Sequence, residues 1–187
     1  MRRLLFVAPL LLAVASGCTE TEPPEAVFIA LQRDFAGFES WPRYFVGNSP
    51  LPGHSVGDRF GYIKQLAPKG AAAYPVGSII VKTVESGATK QEWALFAMAK
   101  RGGGFNAAGA KDWEFFTLRF STSGVPVIVS RGSNPADGDA DGDADGGTTG
   151  GGYGSTGSGS TCNRCHGLPG TEQLDYVLSA VLRPGAQ

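Results

Sequence analysis

The chain has few of the side chains that most often bind metals or cross-link a fold. Its 187 residues include three cysteines, two histidines and two methionines, so each candidate ligand can be considered by name. The formal net charge of −1 argues against a nucleic-acid-binding protein, which normally carries a clear basic excess. Hydrophobic residues make up 42% of the chain and charged residues 18%. That balance excludes an acidic disordered protein and suits one globular domain.

The only long apolar run lies at the amino terminus and is too short to span a membrane. Residues 1–3 are basic in character, residues 4–14 are apolar and residues 15–17 are small, which is the pattern of a secretory signal. Cys18 follows at once, and this junction resembles the lipobox of bacterial lipoproteins. The resemblance implies cleavage after residue 17 and lipid attachment to Cys18, on the periplasmic side of a bacterial cell envelope. An ordinary signal peptide with an incidental cysteine is the alternative.

Three further segments follow from composition. Residues 18–25 are polar and proline-bearing, as a tether should be, and residues 26–183 are assigned to one domain. Residues 134–160 are rich in Asp, Gly and Ser, which predicts a flexible insert within that domain. The insert contains half of an EF-hand loop, but its twelfth position is Thr148 where calcium binding needs a glutamate. A specific calcium site is therefore not predicted.

The middle of the chain reads as a β-sheet. Six short runs are rich in β-branched or aromatic residues and end at Gly, Pro, Asn or Asp; they are residues 43–46, 58–65, 77–84, 92–100, 113–120 and 126–130. The loops between them are too short or too glycine-rich for crossover helices. Helices are predicted at residues 25–40 and 171–182, where apolar residues recur at helical spacing. The expected fold class is α+β, a mainly antiparallel sheet flanked by helices, with a haem segment at its carboxyl end.

That last segment is predicted from the sequence Cys162-Asn163-Arg164-Cys165-His166. C-x-x-C-H is the attachment signature of c-type haem. Two thiols at this spacing can add to the two vinyl groups of one porphyrin, and the adjacent histidine can then bind the iron. A redox disulfide lacks the βαβ context that it usually has, and a zinc site would usually need four ligands. One covalent haem c is therefore the predicted cofactor, with His166 as its proximal ligand.

No methionine or histidine follows His166 to serve as the sixth iron ligand. Only Met98 and His54 remain upstream as candidates of that kind. Met98 lies in a hydrophobic strand and His54 in a turn-like loop, so neither pattern favours ligation. The iron is expected to be open on its distal side, which favours small-molecule chemistry over simple electron relay.

Several stretches in a fixed order resemble the cytochrome P-460 family, which includes the β-sheet cytochromes c-prime-beta. They are Tyr-Pro-Val-Gly-Ser-Ile-Ile-Val-Lys at residues 74–82, Phe-Ala-Met at 96–98, the glycine-rich loop at 100–106, Asp-Trp-Glu-Phe-Phe at 112–116 and the haem motif. The resemblance implies an antiparallel sheet, a five-coordinate haem and a small distal pocket. Cytochromes P-460 oxidise hydroxylamine, whereas their c-prime-beta relatives bind nitric oxide and carbon monoxide without known turnover.

Lys82 is the residue on which this resemblance bears most. In cytochromes P-460 the corresponding lysine is cross-linked to a porphyrin carbon, so the resemblance implies the same link here. Strand alternation independently places Lys82 on one face with Ile80 and Val84, where burial would lower its pKa and activate its amine. The alternative is a lysine at a sheet edge whose amine reaches water.

Candidates for the distal pocket are Met98 and three aromatic residues, Phe96, Phe115 and Phe116. Catalysis would also need a carboxylate to take up protons; the middle of the chain offers Glu85, Glu92, Asp112 and Glu114, and the sequence places none of them over the iron.

Three functions remain open at this point. The first is binding or oxidation of small nitrogen species such as hydroxylamine and nitric oxide. The second is pure electron transfer, with Met98 or Lys82 as sixth ligand. The third is nitric oxide binding or sensing without turnover. The expected partners are a small-molecule ligand, an electron-transfer protein and a membrane reached through the lipid anchor, with no nucleic acid. The oligomeric state is open, with a dimer among the candidates.

Overall fold

The computed structural model describes residues 25–49, 56–135 and 162–186. Their framework is a six-stranded antiparallel sheet in which every strand pairs with its neighbours in sequence. The strands are β1 (Arg43–Gly47), β2 (Asp58–Ile63), β3 (Ile79–Glu85), β4 (Ala94–Lys100), β5 (Trp113–Phe120) and β6 (Pro126–Gly132). All six predicted strands are confirmed, with ends that shift by up to two residues, and so is the mainly antiparallel arrangement.

The strand register divides the sheet into two faces. Lys82 of β3 lies opposite Gly61 of β2 and Phe96 of β4, and Met98 lies opposite both Ile80 and Phe115. Because directly opposed residues of antiparallel strands share a face, all of these side chains lie on one side, which we call the Lys82 face. The residues that alternate with them occupy the opposite face.

The opposite face is covered by an aromatic cluster from the start of the described chain. Phe35 packs on Phe116 with ring centroids 5.0 Å apart, and Phe38 packs edge-on against Tyr62 at 5.1 Å. Both phenylalanines are fully buried. Truncating a phenylalanine in such a core typically costs about 3–5 kcal/mol, so this cluster is the main hydrophobic core on that side of the sheet.

The helix predicted at residues 25–40 is wrong. The segment contains only two 3-10 turns, Gln32–Phe35 and Phe38–Ser40. The Asp34 carboxylate accepts a hydrogen bond from the Leu31 amide at 2.9 Å, and Gly37 takes the left-handed conformation with φ 67°. The first feature caps the start of the first turn, and Gly37 precedes the second turn; each turn ends where the backbone becomes extended, at Ala36 and Trp41. The aromatic residues still reach the core as their spacing indicates.

The helix predicted at residues 171–182 is also wrong. Short 3-10 turns at Glu172–Leu174 and Ala180–Leu182 replace it, because Asp175 and Tyr176 both have positive φ values. In the described residues the one α-helix is α1 (Cys162–His166), and a further 3-10 turn spans Lys90–Glu92. The sheet is therefore flanked by turns rather than by the expected helices.

No helix within the described ranges is long and apolar enough to cross a membrane. The predicted signal, Cys18, nearly all of the tether, His54 and most of the predicted insert lie outside the described residues.

Candidate haem-binding site

Helix α1 carries both thiols of the haem motif. Cys162 and Cys165 lie three residues apart on this helix and are free thiols, and residues at that spacing are neighbours on a helix surface. Cys162 packs against the buried cluster of the Lys82 face, which includes Ile80, Met98 and Phe115. The first residue of the motif thus contacts the sheet, whereas Arg164 is exposed and the other motif residues are half-buried.

The Asn163 side chain docks α1 onto the loop between β4 and β5. Its oxygen accepts hydrogen bonds from the Ala110 amide at 2.8 Å and from the Asn106 side chain at 3.0 Å, and its nitrogen donates to Asn106 at 3.0 Å. The contact needs glycine at two points. A Cβ on Gly109 would lie 2.1 Å from the Asn163 side chain, and one on Gly167 would lie 2.9 Å from the Ala110 nitrogen.

His166 is held as a neutral donor. Its Nδ1 lies 2.7 Å from the carbonyl oxygen of Tyr176, and because a carbonyl only accepts, Nδ1 carries the hydrogen. Burial lowers the pKa of His166 to about 4; the hydrogen bond to Tyr176 opposes this shift, and the charge of Lys82 contributes to it. The ring packs on Phe115 with centroids 5.3 Å apart. Its Nε2 therefore holds the lone pair, which is the state that a metal-binding histidine requires.

Lys82 lies close to the motif although 80 residues separate them. Burial lowers the pKa of its amine to about 8; the charge of Arg59 also lowers it, whereas the two thiols of α1 raise it. Its Nζ lies 5.1 Å from the centre of the Phe96 ring. A lysine with a lowered pKa is a competent nucleophile. Because β3 is an inner strand, Lys82 does not lie at a sheet edge, and its side chain is half-buried.

Arg59 belongs to this site and was missed in the sequence. Its side chain is only 2% exposed, and its Nε and Nη1 have no hydrogen-bond partner among the described residues. It lies opposite Val84 and two residues from Gly61, and therefore shares the Lys82 face. Buried guanidinium groups are costly unless paired, so this position calls for an anionic group. The alternation of Arg59, Gly61 and Ile63 along β2 could have indicated it.

The structure separates the predicted pocket residues. Phe96 contacts Lys82 and Phe115 contacts His166, whereas Met98 is packed in the cluster beneath the motif. Phe116 lies on the opposite face, in the aromatic core, so it does not line a pocket at the motif.

None of the four candidate carboxylates is directed to the Lys82 face. Glu114 binds Arg131 and Arg101 within the described chain. Glu85 accepts from Arg43 at 3.0 Å. The remaining two cap local turns: Glu92 accepts from the Thr89 amide and Asp112 from the Gly104 amide.

The donor set fits haem better than a bare metal ion. Within residues 25–49, 56–135 and 162–186, no three histidine, cysteine or acidic side chains form a metal-binding group. A haem needs only one histidine for its iron and two thiols for its edge, which Cys162, Cys165 and His166 supply. The apolar cluster beside the motif suits a porphyrin, and Arg59, two of whose nitrogens lack a hydrogen-bond partner among the described residues, offers a positive charge to an anionic group.

The chain matches none of the protein-family models, curated proteins or solved structures with which it was compared.

Proposed function

We propose that the protein is a lipid-anchored, single-haem c-type cytochrome of the bacterial periplasm that binds or oxidises small nitrogen species such as hydroxylamine and nitric oxide. One observation carries the proposal: the sheet brings Lys82 to the two thiols of α1, where His166 already has its Nδ1 engaged. The order of motifs that resembles the cytochrome P-460 family is a second support.

Each residue has a defined part. Cys162 and Cys165 would hold the porphyrin edge, and His166 would bind the iron through Nε2. When bound, haem supplies an iron that accepts small ligands and exchanges electrons with a partner protein. Phe96 and Lys82 would border the distal pocket of the haem and restrict the size and polarity of its ligands. Arg59 would stabilise negative charge on the same face of the sheet.

The first test is whether the protein carries haem. We expect the full chain, produced in a bacterium with the cytochrome c maturation system, to be coloured and to retain its haem in denaturant. Replacing both Cys162 and Cys165 with alanine should abolish covalent attachment, whereas Cys18→Ser serves as the matched cysteine control and should leave it intact. A colourless wild-type protein would end the proposal.

The alternative of pure electron transfer requires a sixth protein ligand. Met98 is only 7% exposed and packs in the buried apolar cluster on the Lys82 face. It could therefore bind an iron only if its strand rearranged. We therefore expect nitric oxide and cyanide to change the absorption spectrum rapidly. A spectrum that is inert to both ligands, and that responds only in Met98→Leu or Lys82→Ala, would support the carrier.

Nitric oxide binding without turnover is a second candidate function. Oxidation of hydroxylamine needs a proton acceptor. All four candidate carboxylates bind other groups and are not directed to the Lys82 face, which favours binding without turnover. Hydroxylamine with an electron acceptor distinguishes the two: consumption of hydroxylamine supports the enzyme, and ligand binding without consumption supports the binder.

The cross-link of Lys82 to the porphyrin is part of the first function. It predicts that Lys82→Ala moves the absorption maximum and that a haem peptide from the wild-type protein also contains residues of β3. Lys64→Ala, on a half-exposed lysine that follows β2, should change neither. An unchanged spectrum in Lys82→Ala would remove the cross-link and leave haem binding intact.

A further inference from the structure

A buried carboxylate close to the haem motif has no part in the function proposed above. Asp175 is 4% exposed and accepts hydrogen bonds from the Tyr74 amide at 2.8 Å and from Trp113 Nε1 at 3.3 Å. It also forms an ion pair with Lys100. Lys100 and Trp113 are directly opposed at the adjoining ends of β4 and β5. Asp175 therefore connects the segment that follows α1 to these strand ends.

The backbone at this point has an unusual conformation. Asp175 and Tyr176 are consecutive left-handed residues, with φ values of 48° and 61°. For a residue other than glycine this conformation costs roughly 1–2 kcal/mol, and asparagine and aspartate adopt it more readily than tyrosine does. The Tyr176 amide donates to the Thr171 carbonyl at 2.8 Å, and its own carbonyl oxygen lies 2.7 Å from His166 Nδ1.

We propose that Asp175 is a positioning residue for His166. Its three donors hold the left-handed pair in place, and that pair aims the Tyr176 carbonyl at His166 Nδ1. The hydrogen bond then fixes the tautomer in which Nε2 carries the lone pair. The part of this inference that concerns iron rests on the proposed haem function, whereas the tautomer of His166 does not depend on it.

The hydrogen bond has a chemical consequence beyond orientation. A histidine that donates from Nδ1 is a more basic ligand through Nε2. Asp175 would therefore influence the reduction potential of a bound iron without contacting the iron. Loosening the anchor should weaken the bond between Nε2 and iron and raise the reduction potential, because the ferric state gains most from a basic ligand.

The test compares three single variants of the full-length holoprotein. Asp175→Asn keeps the shape and tolerates the left-handed conformation but removes the charge, and Trp113→Phe removes one donor while keeping an aromatic ring. Glu114→Gln is the matched control, because Glu114 is a buried carboxylate with two basic partners on the opposite face. The readouts are the iron–histidine stretching frequency in the ferrous protein and the reduction potential.

We expect Asp175→Asn to lower the frequency and raise the potential, Trp113→Phe to shift both less in the same direction, and Glu114→Gln to change neither. Unchanged values in Asp175→Asn, or equal shifts in Glu114→Gln, would overturn the inference. If Asp175→Asn fails to fold, Trp113→Phe decides by the same criteria.

A second measurement separates this inference from the proposed function. Nitrogen-15 NMR of the full chain made without the maturation system should show His166 with hydrogen on Nδ1 in the wild type, and a mixture of tautomers in Asp175→Asn. The chain has two histidines, and His54→Gln assigns the signals. A colourless wild-type protein from the maturation host, together with the expected tautomers, would reject the haem function and keep the positioning role. A coloured protein whose variants all show the same stretching frequency, reduction potential and tautomers would support the haem function and reject the positioning role.

Discussion

Two cations, the half-buried Lys82 and the buried Arg59, define the chemistry of the site at the scale of single residues. They share one face of the sheet, and the charge of Arg59 lowers the pKa of the Lys82 amine. Like charges held close together destabilise a fold, and the anionic groups of the proposed haem would offset that cost. Removal of one of these charges should therefore have opposite effects on the stability of the protein with and without its ligand.

Arg59→Leu should stabilise the haem-free chain. Removing a buried guanidinium that lacks partners for two of its nitrogens should raise the free energy of unfolding by about 1–3 kcal/mol. Arg131→Leu is the matched control and should lower it, because the guanidinium of Arg131 donates to Glu114 at 2.7 Å. Urea unfolding measures both. In the holoprotein the gain from Arg59→Leu should shrink or change sign, and equal losses in both variants without haem would contradict the role of Arg59.

Lys82 should react as an unusually acidic lysine. Its pKa of about 8, against an ordinary 10.5, predicts that acylation of its amine in the haem-free chain rises through pH 8 and then levels off. The unfolded chain binds this proton more tightly, so this group should also make the free energy of unfolding increase as the pH rises from about 8 to 10.5. Peptide mass spectrometry follows the acylation, and Lys82→Met identifies the labelled peptide. A midpoint near 10.5 would contradict burial of the amine.

The docking of α1 is the feature that matters most at the scale of secondary-structure elements. A five-residue helix is too short to be stable alone, so its position depends on contacts with the sheet and its loops. Asn163 supplies these contacts through Asn106 and Ala110. The side chain fits only because residue 109 is glycine.

Gly109→Ala should displace α1 and reduce haem loading. The added methyl group overlaps the Asn163 side chain, and overpacking of this kind typically costs about 1–3 kcal/mol. Absorbance per mole of protein and the melting temperature report the effect. In an Asn163→Ala background the same substitution should cost much less, since the overlapping atoms are gone. Equal costs in both backgrounds would show that the contact does not position the helix.

Prediction from sequence succeeded for strands and failed for helices, for a physical reason. The strands are specified by alternation and turn residues that act over two to six positions, so β5 was predicted to the residue. Residues 25–40 and 171–182 have helical spacing, yet single positions such as Gly37, Asp175 and Tyr176 break them. The apolar residues of these segments still pack on the sheet. Their spacing predicts a shared buried face, and this face does not need a continuous helix.

At the scale of the whole molecule, the sequence could single out the C-x-x-C-H motif and Lys82 but not the residues that surround them. Cys162, Cys165 and His166 form a local motif, and the resemblance to the cytochrome P-460 family, together with alternation within one strand, points to Lys82. Arg59 and Asp175 act through contacts with residues far away in sequence, which depend on the register of four strands. Alternation along β2 could have indicated the face of Arg59, but no local pattern connects Asp175 with its three partners, Tyr74, Lys100 and Trp113.

The attachment of the whole molecule to a membrane is predicted from the signal pattern of residues 1–17 and the cysteine that follows it, Cys18. Two or more acyl chains on this residue would anchor the protein stably, because each buried methylene contributes about 0.8 kcal/mol. We therefore expect the wild-type protein in the membrane fraction and Cys18→Ser in the soluble periplasmic fraction, with the same haem spectrum. Cys162→Ser is the matched control and should stay with the membrane while losing normal haem attachment. A soluble wild-type protein, or a Cys18→Ser protein that still sediments with membranes, would mean that residues 1–17 are an ordinary signal peptide and that Cys18 carries no lipid.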